Sequence, residues 1–120
     1  MTRRQFLESI ELARKVVETA SDKQATDTLL LDIRGICSFT DYFVICSGDS
    51  ERQIQTIYDE VGYRLKKDGI LPQHHEGNAG SGWILLDFGF VILHIFTPFE
   101  REHYQLEKLW NKAIAIIRIQ

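Results

Sequence analysis

One short stretch of this sequence places small polar residues where proteins often bind phosphate. Ser47-Gly48-Asp49-Ser50 forms a glycine turn before a predicted helix, and backbone N–H groups at such a helix start bind anions in many proteins. The stretch lacks the lysine of a P-loop and the further glycines of a dinucleotide-binding motif. A helix start capped by Ser50 accounts for the same residues.

Histidine and cysteine residues are arranged in ways that favour neither metal binding nor nucleophilic catalysis. His74, His75 and Glu76 are adjacent in a predicted loop, but adjacent side chains point in different directions and a zinc site needs about four ligands. Cys37 and Cys46 form neither a C-x-x-C pair nor a zinc knuckle, and a thiol within an apolar strand behaves as a small hydrophobe. We therefore predict no catalytic residues, no metal and no cofactor.

Length and composition indicate one ordinary globular domain. The chain has 120 residues, of which 44% are hydrophobic and 26% charged, and domains of this size bury a substantial core. We predict a single domain over residues 1–120, with residues 111–120 as an apolar C-terminal extension.

Charge and cysteine content restrict the class of partner and the compartment. The net charge of -3 repels phosphate backbones, so sequence-specific binding to nucleic acid is disfavoured. The two cysteines suit a reducing compartment. Charged residues interrupt the N-terminal stretch, which therefore lacks the apolar core of a signal peptide, and no apolar run reaches the about 18 residues of a membrane span. We predict a cytoplasmic protein that does not contact membranes.

The first half of the chain alternates predicted helices and strands. An amphipathic pattern over residues 6–20 predicts a helix, with Thr2 and Gln5 as its candidate capping box, and residues 28–33 read as a strand. Residues 41–47 are apolar on both faces, as in the central strand of a covered sheet. Ser50 and Gln53 predict a capping box for the next helix, which is expected to end before Gly69. The following loop, residues 70–82, contains a possible edge strand at residues 70–71.

The second half predicts a hairpin and a third helix. Residues 83–87 and 90–96 flank Phe88-Gly89 as two β-strands, and Thr97, Pro98 and Glu100 together specify a helix start. The expected apolar face of this helix consists of Phe99, His103, Leu106 and Trp110, continuing to Ala113, Ile114 and Ile117. The element order predicts an α/β (α+β) fold with a mixed sheet of about four to five strands flanked by helices.

The third helix also carries residue types that anchor protein interfaces. We interpret its apolar side as core and the side bearing Arg101, Tyr104 and Glu107 as available to a partner. His94, on the second hairpin strand beside apolar neighbours, fits a hydrogen-bonded, partly buried histidine better than a general base, and its functional interpretation is as part of a contact surface.

Several segments together resemble the ribosomal silencing factor family, also called the Iojap-like family. They agree with it in order and spacing from the first helix to Trp110: Asp41–Gln53, Glu76-Gly77, Gly82–Gly89, Val91–Phe96 and Tyr104–Trp110. Phe90 departs from the pattern, since members commonly carry an aspartate after the hairpin glycine. The tail Lys112–Gln120 extends beyond the shared motif, and its isoleucines are expected to pack on this domain, on a second subunit or on a partner.

The resemblance implies a function and a fold. It implies a protein that binds the large ribosomal subunit through large-subunit ribosomal protein fourteen, blocks association with the small subunit and represses translation. It also implies a homodimer without catalytic activity and a fold similar to the nucleotidyltransferase fold. A metal-dependent nucleotidyltransferase is the alternative, but such enzymes need acidic residues on neighbouring strands, whereas Asp49-Ser50-Glu51 lies in a helix cap.

Charge and residue type then predict the partner surface. An acidic domain is complementary to a basic ribosomal protein, and aromatic anchors exclude water from an interface. The predicted partner-binding residues are Trp83, Asp87, His94, Arg101, Tyr104 and Glu107.

Overall fold

A computed structural model of the protein describes the backbone of residues 3–120 and the side chains from residue 9 onward. The elements follow in the order α1 (Arg3–Asp22), β1 (Thr26–Asp32), β2 (Tyr42–Ser47), α2 (Glu51–Lys67), β3 (His74–Glu76), a 3-10 turn (Ala79–Ser81), β4 (Trp83–Asp87), β5 (Val91–Phe96), α3 (Pro98–Tyr104), α4 (Leu106–Leu109) and β6 (Ile114–Ile119). The predicted α+β class is confirmed, and the capping box expected for the first helix at Thr2 and Gln5 lies outside the described side chains.

The described residues form one mixed sheet with the strand order β3-β4-β5-β2-β1-β6. Strands β2 and β5 are parallel neighbours, whereas the other neighbouring pairs are antiparallel. Every residue of β2 is buried, which confirms that its apolar character on both faces marks a strand inside the sheet. The sheet has six strands, not the four or five that were predicted.

Helices α1 and α2 cover one face of this sheet and form the larger hydrophobic core with it. The helices contribute Ala13, Val16, Val17, Ala20, Ile54, Ile57, Val61 and Leu65 to that core. The opposite face has a smaller core made of Leu29, Leu31, Ile33, Phe43, Ile45, Ile92, Phe96 and Leu106. Because α3 and α4 are short, they cover only part of this second face, and alternate side chains along β4 remain partly accessible.

The capping residues in the sequence predicted the ends of α2 and the start of α3 correctly. The Ser50 side chain accepts a hydrogen bond from the Gln53 backbone N–H at 3.1 Å, and the Gln53 side chain accepts one from the backbone N–H of Asp49. Gly69 follows α2 with φ +78°, a conformation that glycine adopts without strain. Thr97 accepts from the Glu100 backbone N–H with Pro98 at the first turn of α3.

The predicted continuous third helix is wrong. Gln105 has a left-handed backbone, with φ 47° and ψ 49°, which ends α3 and starts the separate four-residue helix α4. Phe99, expected in the core, is 75% exposed. Because the chain changes direction at Gln105, the side chains before it and those after it do not lie on one helical face.

The C-terminal tail is a strand of the main sheet rather than a continuation of the helix. Residues 114–119 form β6, which pairs with β1 so that Ile117 lies opposite Leu30 and Arg118 opposite Leu29. β-Branched isoleucines favour strands over helices, and the edge of β1 supplies the backbone partners. Of the three places that the sequence left open for the tail, the structure therefore has it on this domain.

The loop before the hairpin also differs from prediction in one detail. Residues 70–71 do not form a strand; the edge strand is β3, three residues later, and pairs with β4. A strand of three exposed residues carries too little hydrophobic pattern to be recognised from sequence alone.

Candidate functional site

An apolar groove lies on the partly covered face of the sheet, beside strand β4. It is a cavity of about 280 Å³ lined by Glu76, Gly77, Ser81, Trp83, Leu85 and Tyr104. We call it the aromatic groove, because two of its walls are the rings of Trp83 and Tyr104.

Strand alternation places these side chains on one face. Along β4, Trp83, Leu85 and Asp87 are half-buried while the two residues between them are buried, so the half-buried set faces away from α1 and α2. Strand β3 pairs Glu76 with Leu85, and residues directly opposite in a sheet point to the same side. The carboxylate of Glu76 therefore stands beside the apolar floor of the groove.

Trp83 and Tyr104 form its aromatic wall. Their ring centroids lie 4.6 Å apart, and Trp83 stacks on Phe96 at 4.8 Å. Aromatic contacts of this kind contribute roughly 0.5–1.5 kcal/mol beyond the area they bury. Tyr104 nevertheless remains 47% exposed, so its ring is ordered by the protein and still open to a partner.

Two glycines allow the backbone to approach the groove closely. A β-carbon on Gly77, which has φ +79°, would lie 2.1 Å from the carbonyl oxygen of Trp83. One on Gly82, also at φ +79°, would lie 2.6 Å from the Cγ atom of Glu100. Because neither position accommodates a side chain, these glycines fix how the chain enters β4 below the start of α3.

His94 lies beneath the aromatic groove rather than on the surface. It is 4% exposed, and its Nδ1 accepts a hydrogen bond from the Trp83 indole Nε1–H at 3.3 Å. Burial lowers the pKa of His94 from 6.5 to about 3, because the charged imidazolium loses its hydration. The ring is neutral at physiological pH, as an acceptor for the indole must be.

Arg101 and Glu107 contact each other away from the groove. The Arg101 Nε donates to Glu107 Oε2 at 2.9 Å, while one terminal nitrogen of Arg101 donates to the carbonyl of Asp27 at 2.6 Å and to the hydroxyl of Ser47 at 3.0 Å. The Arg101 side chain is only 14% exposed. The pair joins α3 and α4 to the ends of β1 and β2.

Asp87 lies at the opposite end of β4 from Trp83. Its carboxylate accepts a hydrogen bond from the Gly89 backbone N–H at 2.7 Å, and Gly89 occupies the hairpin turn with φ +92°. This contact orders the turn, and Asp87 does not line the aromatic groove.

The structure thus divides the six predicted partner-binding residues. Trp83 and Tyr104 meet at the aromatic groove with His94 below them, Arg101 and Glu107 pair with each other, and Asp87 stands apart. Sequence reasoning missed Glu76 and Leu85 as groove residues, although Glu76-Gly77 belongs to the segments that carry the family resemblance. It also assigned His103 to the core, whereas that ring is exposed and stacks on Phe99.

No three His, Cys, Asp or Glu side chains between residues 9 and 120 are grouped so that they could hold a metal ion. None of the described helices is both long and apolar enough to cross a lipid bilayer.

Comparison with known proteins relates the chain to one family. The family model described as "Ribosomal silencing factor during starvation" matches residues 7–120, which include the C-terminal strand β6. Ribosomal silencing factor RsfS of Bacillus subtilis is 44% identical over 92 residues, covering 77% of this chain and 78% of the relative. The protein of the same name from Halalkalibacterium halodurans is 39% identical over 106 residues, covering 88% and 91%.

A solved structure agrees with this relationship. The crystal structure of a protein from Chromobacterium violaceum superimposes with a TM-score of 0.81 at 30% sequence identity, covering 84% of each chain. Sequence and fold therefore agree over most of the domain. The chain belongs to the ribosomal silencing factor family.

Proposed function

We propose that this protein binds the large ribosomal subunit, covers part of the surface that the small subunit must meet, and so blocks subunit association and represses translation. We further propose that it acts in the cytoplasm as a regulatory factor without catalytic activity. Membership of a family whose members are named ribosomal silencing factors supports this role. The contact we propose on the ribosome is large-subunit ribosomal protein fourteen.

The main structural support for this proposal is the aromatic groove. Interfaces are anchored by aromatic side chains that are already ordered before the partner binds, because fewer rotamers are then lost on association. Trp83 is held by Phe96 and His94, and Tyr104 rests on Trp83. A partner side chain entering the groove would meet a rigid apolar wall.

Charge around the groove favours a basic partner. The Glu76 side chain, which lines the groove, is 67% exposed, and its Oε1 lies at hydrogen-bond distance, 2.8 Å, from Nε2 of His74. The chain as a whole carries a net charge of -3. Opposite charges at an interface mainly accelerate association and select the partner, so lysine and arginine side chains are expected around the entering group.

The other predicted residues receive supporting roles in this proposal. Arg101 and Glu107 hold α3 and α4 against the sheet, and Asp87 orders the hairpin turn. Direct contact with the partner is assigned to Trp83 and Tyr104, with Glu76 at the rim.

Sedimentation with purified ribosomal subunits tests the proposed role. The protein should migrate with the large subunit and not with the small one, and its addition before mixing should reduce the yield of joined ribosomes. Addition after joining serves as the control, because the surface is then covered by the small subunit. Migration with the small subunit alone, or unchanged joining at saturating protein, would contradict the proposal.

We also propose that the protein forms a homodimer through the isoleucines of β6. Ile114 is 68% exposed, and Ile116 and Ile119 are 36% and 40% exposed, which leaves apolar area on an edge strand. Light scattering should give twice the monomer mass at micromolar concentration, and Ile114→Lys should lower it. Leu71→Lys, at an exposed leucine in the loop before β3, is the matched control; a monomeric mass throughout would refute self-association.

A further inference from the structure

We infer that His94 is a positioning residue: it fixes the indole of Trp83 in the orientation that the aromatic groove requires, and the protein retains it at a cost in stability. This inference rests on the proposed function, since it assigns the benefit to partner binding. It differs from the prediction that His94 itself contacts the partner.

The hydrogen bond defines the tautomer of the ring. Because the Trp83 indole can only donate, Nδ1 of His94 must be unprotonated where it accepts at 3.3 Å. The neutral imidazole then carries its proton on Nε2. That atom is buried and has no hydrogen-bond partner among the described residues.

An unpaired buried donor destabilises the folded state, because it loses its bond to water and gains none in return. The rings packed on His94 are those of Phe43 at 4.8 Å, Trp83 at 5.9 Å and Phe96 at 6.3 Å. None of these rings carries a hydrogen-bond acceptor for Nε2–H. In register, His94 lies opposite Ile45 on β2 and Leu85 on β4. An aliphatic side chain suits this position better than an imidazole.

The benefit of His94 is that it fixes the orientation of the Trp83 ring. A tryptophan half-buried on a sheet face has more than one accessible rotamer, and stacking on Phe96 restrains its plane without fixing which edge points inward. The bond to His94 fixes that edge. Tyr104, which rests on Trp83, then takes its place in the wall of the groove.

A histidine that served only to pack the core would behave differently on replacement. Its loss would lower stability and reduce binding only as far as the fold is lost. For a positioning residue, His94→Leu should change the melting temperature little, since the unpaired Nε2 donor is removed while the indole N–H of the half-buried Trp83 loses its acceptor. Partner binding should nevertheless weaken.

Three variants separate these cases. His94→Leu removes the acceptor, His94→Asn places a carbonyl oxygen near the position of Nδ1, and Ile92→Leu changes the packing on the same strand and face without touching the hydrogen bond. The indole N–H signals of Trp83 and Trp110, the two tryptophans of the sequence, report the bond by NMR in the free protein. Trp110 contacts Phe43 instead of His94 and serves as the internal reference.

We expect His94→Leu to move the Trp83 indole signal while Trp110 stays in place, and to weaken binding to the large subunit by about tenfold. His94→Asn should largely restore the parent position of the Trp83 signal and the parent affinity for the large subunit. Ile92→Leu should alter neither the signal nor the affinity. A lower melting temperature for His94→Leu with an unmoved Trp83 signal would overturn the inference. If the parent protein does not bind the large subunit, the proposed function fails, whereas the indole signals and melting temperatures still decide whether His94 positions Trp83.

Discussion

Arg101 and Tyr104 stand three residues apart on α3, yet they belong to regions with opposite properties. The Arg101 side chain is 14% exposed and donates to Glu107, Asp27 and Ser47. Tyr104 is 47% exposed and has an ordered ring against Trp83. Arginine and tyrosine are both typical of interfaces, but only the second is presented outward. Residue type therefore drew attention to this helix, while the distribution of contacts distinguishes its buried, supporting side from the exposed side that we propose as the binding side.

Removing the arginine should give the largest effect, and on stability. Arg101→Met leaves the carboxylate of Glu107 partly buried and unpaired, which should lower the free energy of unfolding by about 2–3 kcal/mol. Chemical denaturation measures this change. Arg52→Met, at an exposed arginine of α2, should change it by less than about 0.5 kcal/mol.

A double variant that removes both members of the ion pair extends this test. Arg101→Met combined with Glu107→Leu should recover much of the lost stability, because no charge is then left unpaired. If the double variant is as unstable as the single one, the pair does not act as described. If Arg101→Met is fully stable yet abolishes ribosome binding, Arg101 contacts the partner and does not serve to support the fold.

Charge at the groove should affect association instead of stability. Glu76→Lys should slow association with the large subunit by up to about tenfold at low salt, and the deficit should shrink as salt screens the exposed charge. Stopped-flow or surface-binding kinetics at two ionic strengths measure this. Glu18→Lys makes the same charge change at an exposed position on α1, on the other face of the sheet, and should alter association less.

Acid should weaken the fold through His94. The ordinary histidine pKa is 6.5, and in the folded protein that of His94 is lowered to about 3. Between these values the unfolded chain binds a proton that the folded protein does not, so stability falls as pH falls from about 6.5 to about 3. The pH dependence of the melting temperature should be weaker in His94→Leu over this range; an identical slope would show that His94 is not buried as a neutral ring.

The smallest effect is expected at the far end of β4. Asp87→Asn retains an oxygen that can accept from the Gly89 backbone N–H, and position 87 does not line the aromatic groove. Binding to the large subunit should stay within about twofold of the parent. A tenfold loss would place the contact surface nearer to the hairpin turn than the groove.

Elements with strong local signals could be predicted from the sequence, whereas those made by distant contacts could not. The ends of α2 follow from Ser50 and Gly69, and the position of β2 follows from its uninterrupted apolar run. Residues 106–117 also fit a helical pattern, but pairing of the isoleucine-rich tail with β1 prevailed over that pattern. A local pattern does not report which strand edge is free.

The candidate site shows the same limit. Six residues apart on a continuous helix, Arg101 and Glu107 would point in different directions, so their ion pair exists only because Gln105 adopts a left-handed backbone. That turn could not be foreseen, since glutamine seldom takes this conformation. Trp83 and Tyr104 were predicted from residue type and family resemblance, but their contact joins β4 to α3 across the chain, and local patterns do not report such a contact.

Binding of the large ribosomal subunit to the exposed face of Tyr104 is the interaction on which the proposed function depends. It is tested most directly by comparing Tyr104→Ala with Tyr63→Ala, an equally drastic truncation of an exposed tyrosine on α2, which packs on the opposite face of the sheet. Large-subunit binding and melting temperature are measured on the same samples. Tyr104→Ala should remain folded and lose about thirtyfold in affinity, equivalent to about 2 kcal/mol, while Tyr63→Ala binds like the parent. A folded Tyr104→Ala protein that binds the large subunit as tightly as the parent would show that this face is not the binding site.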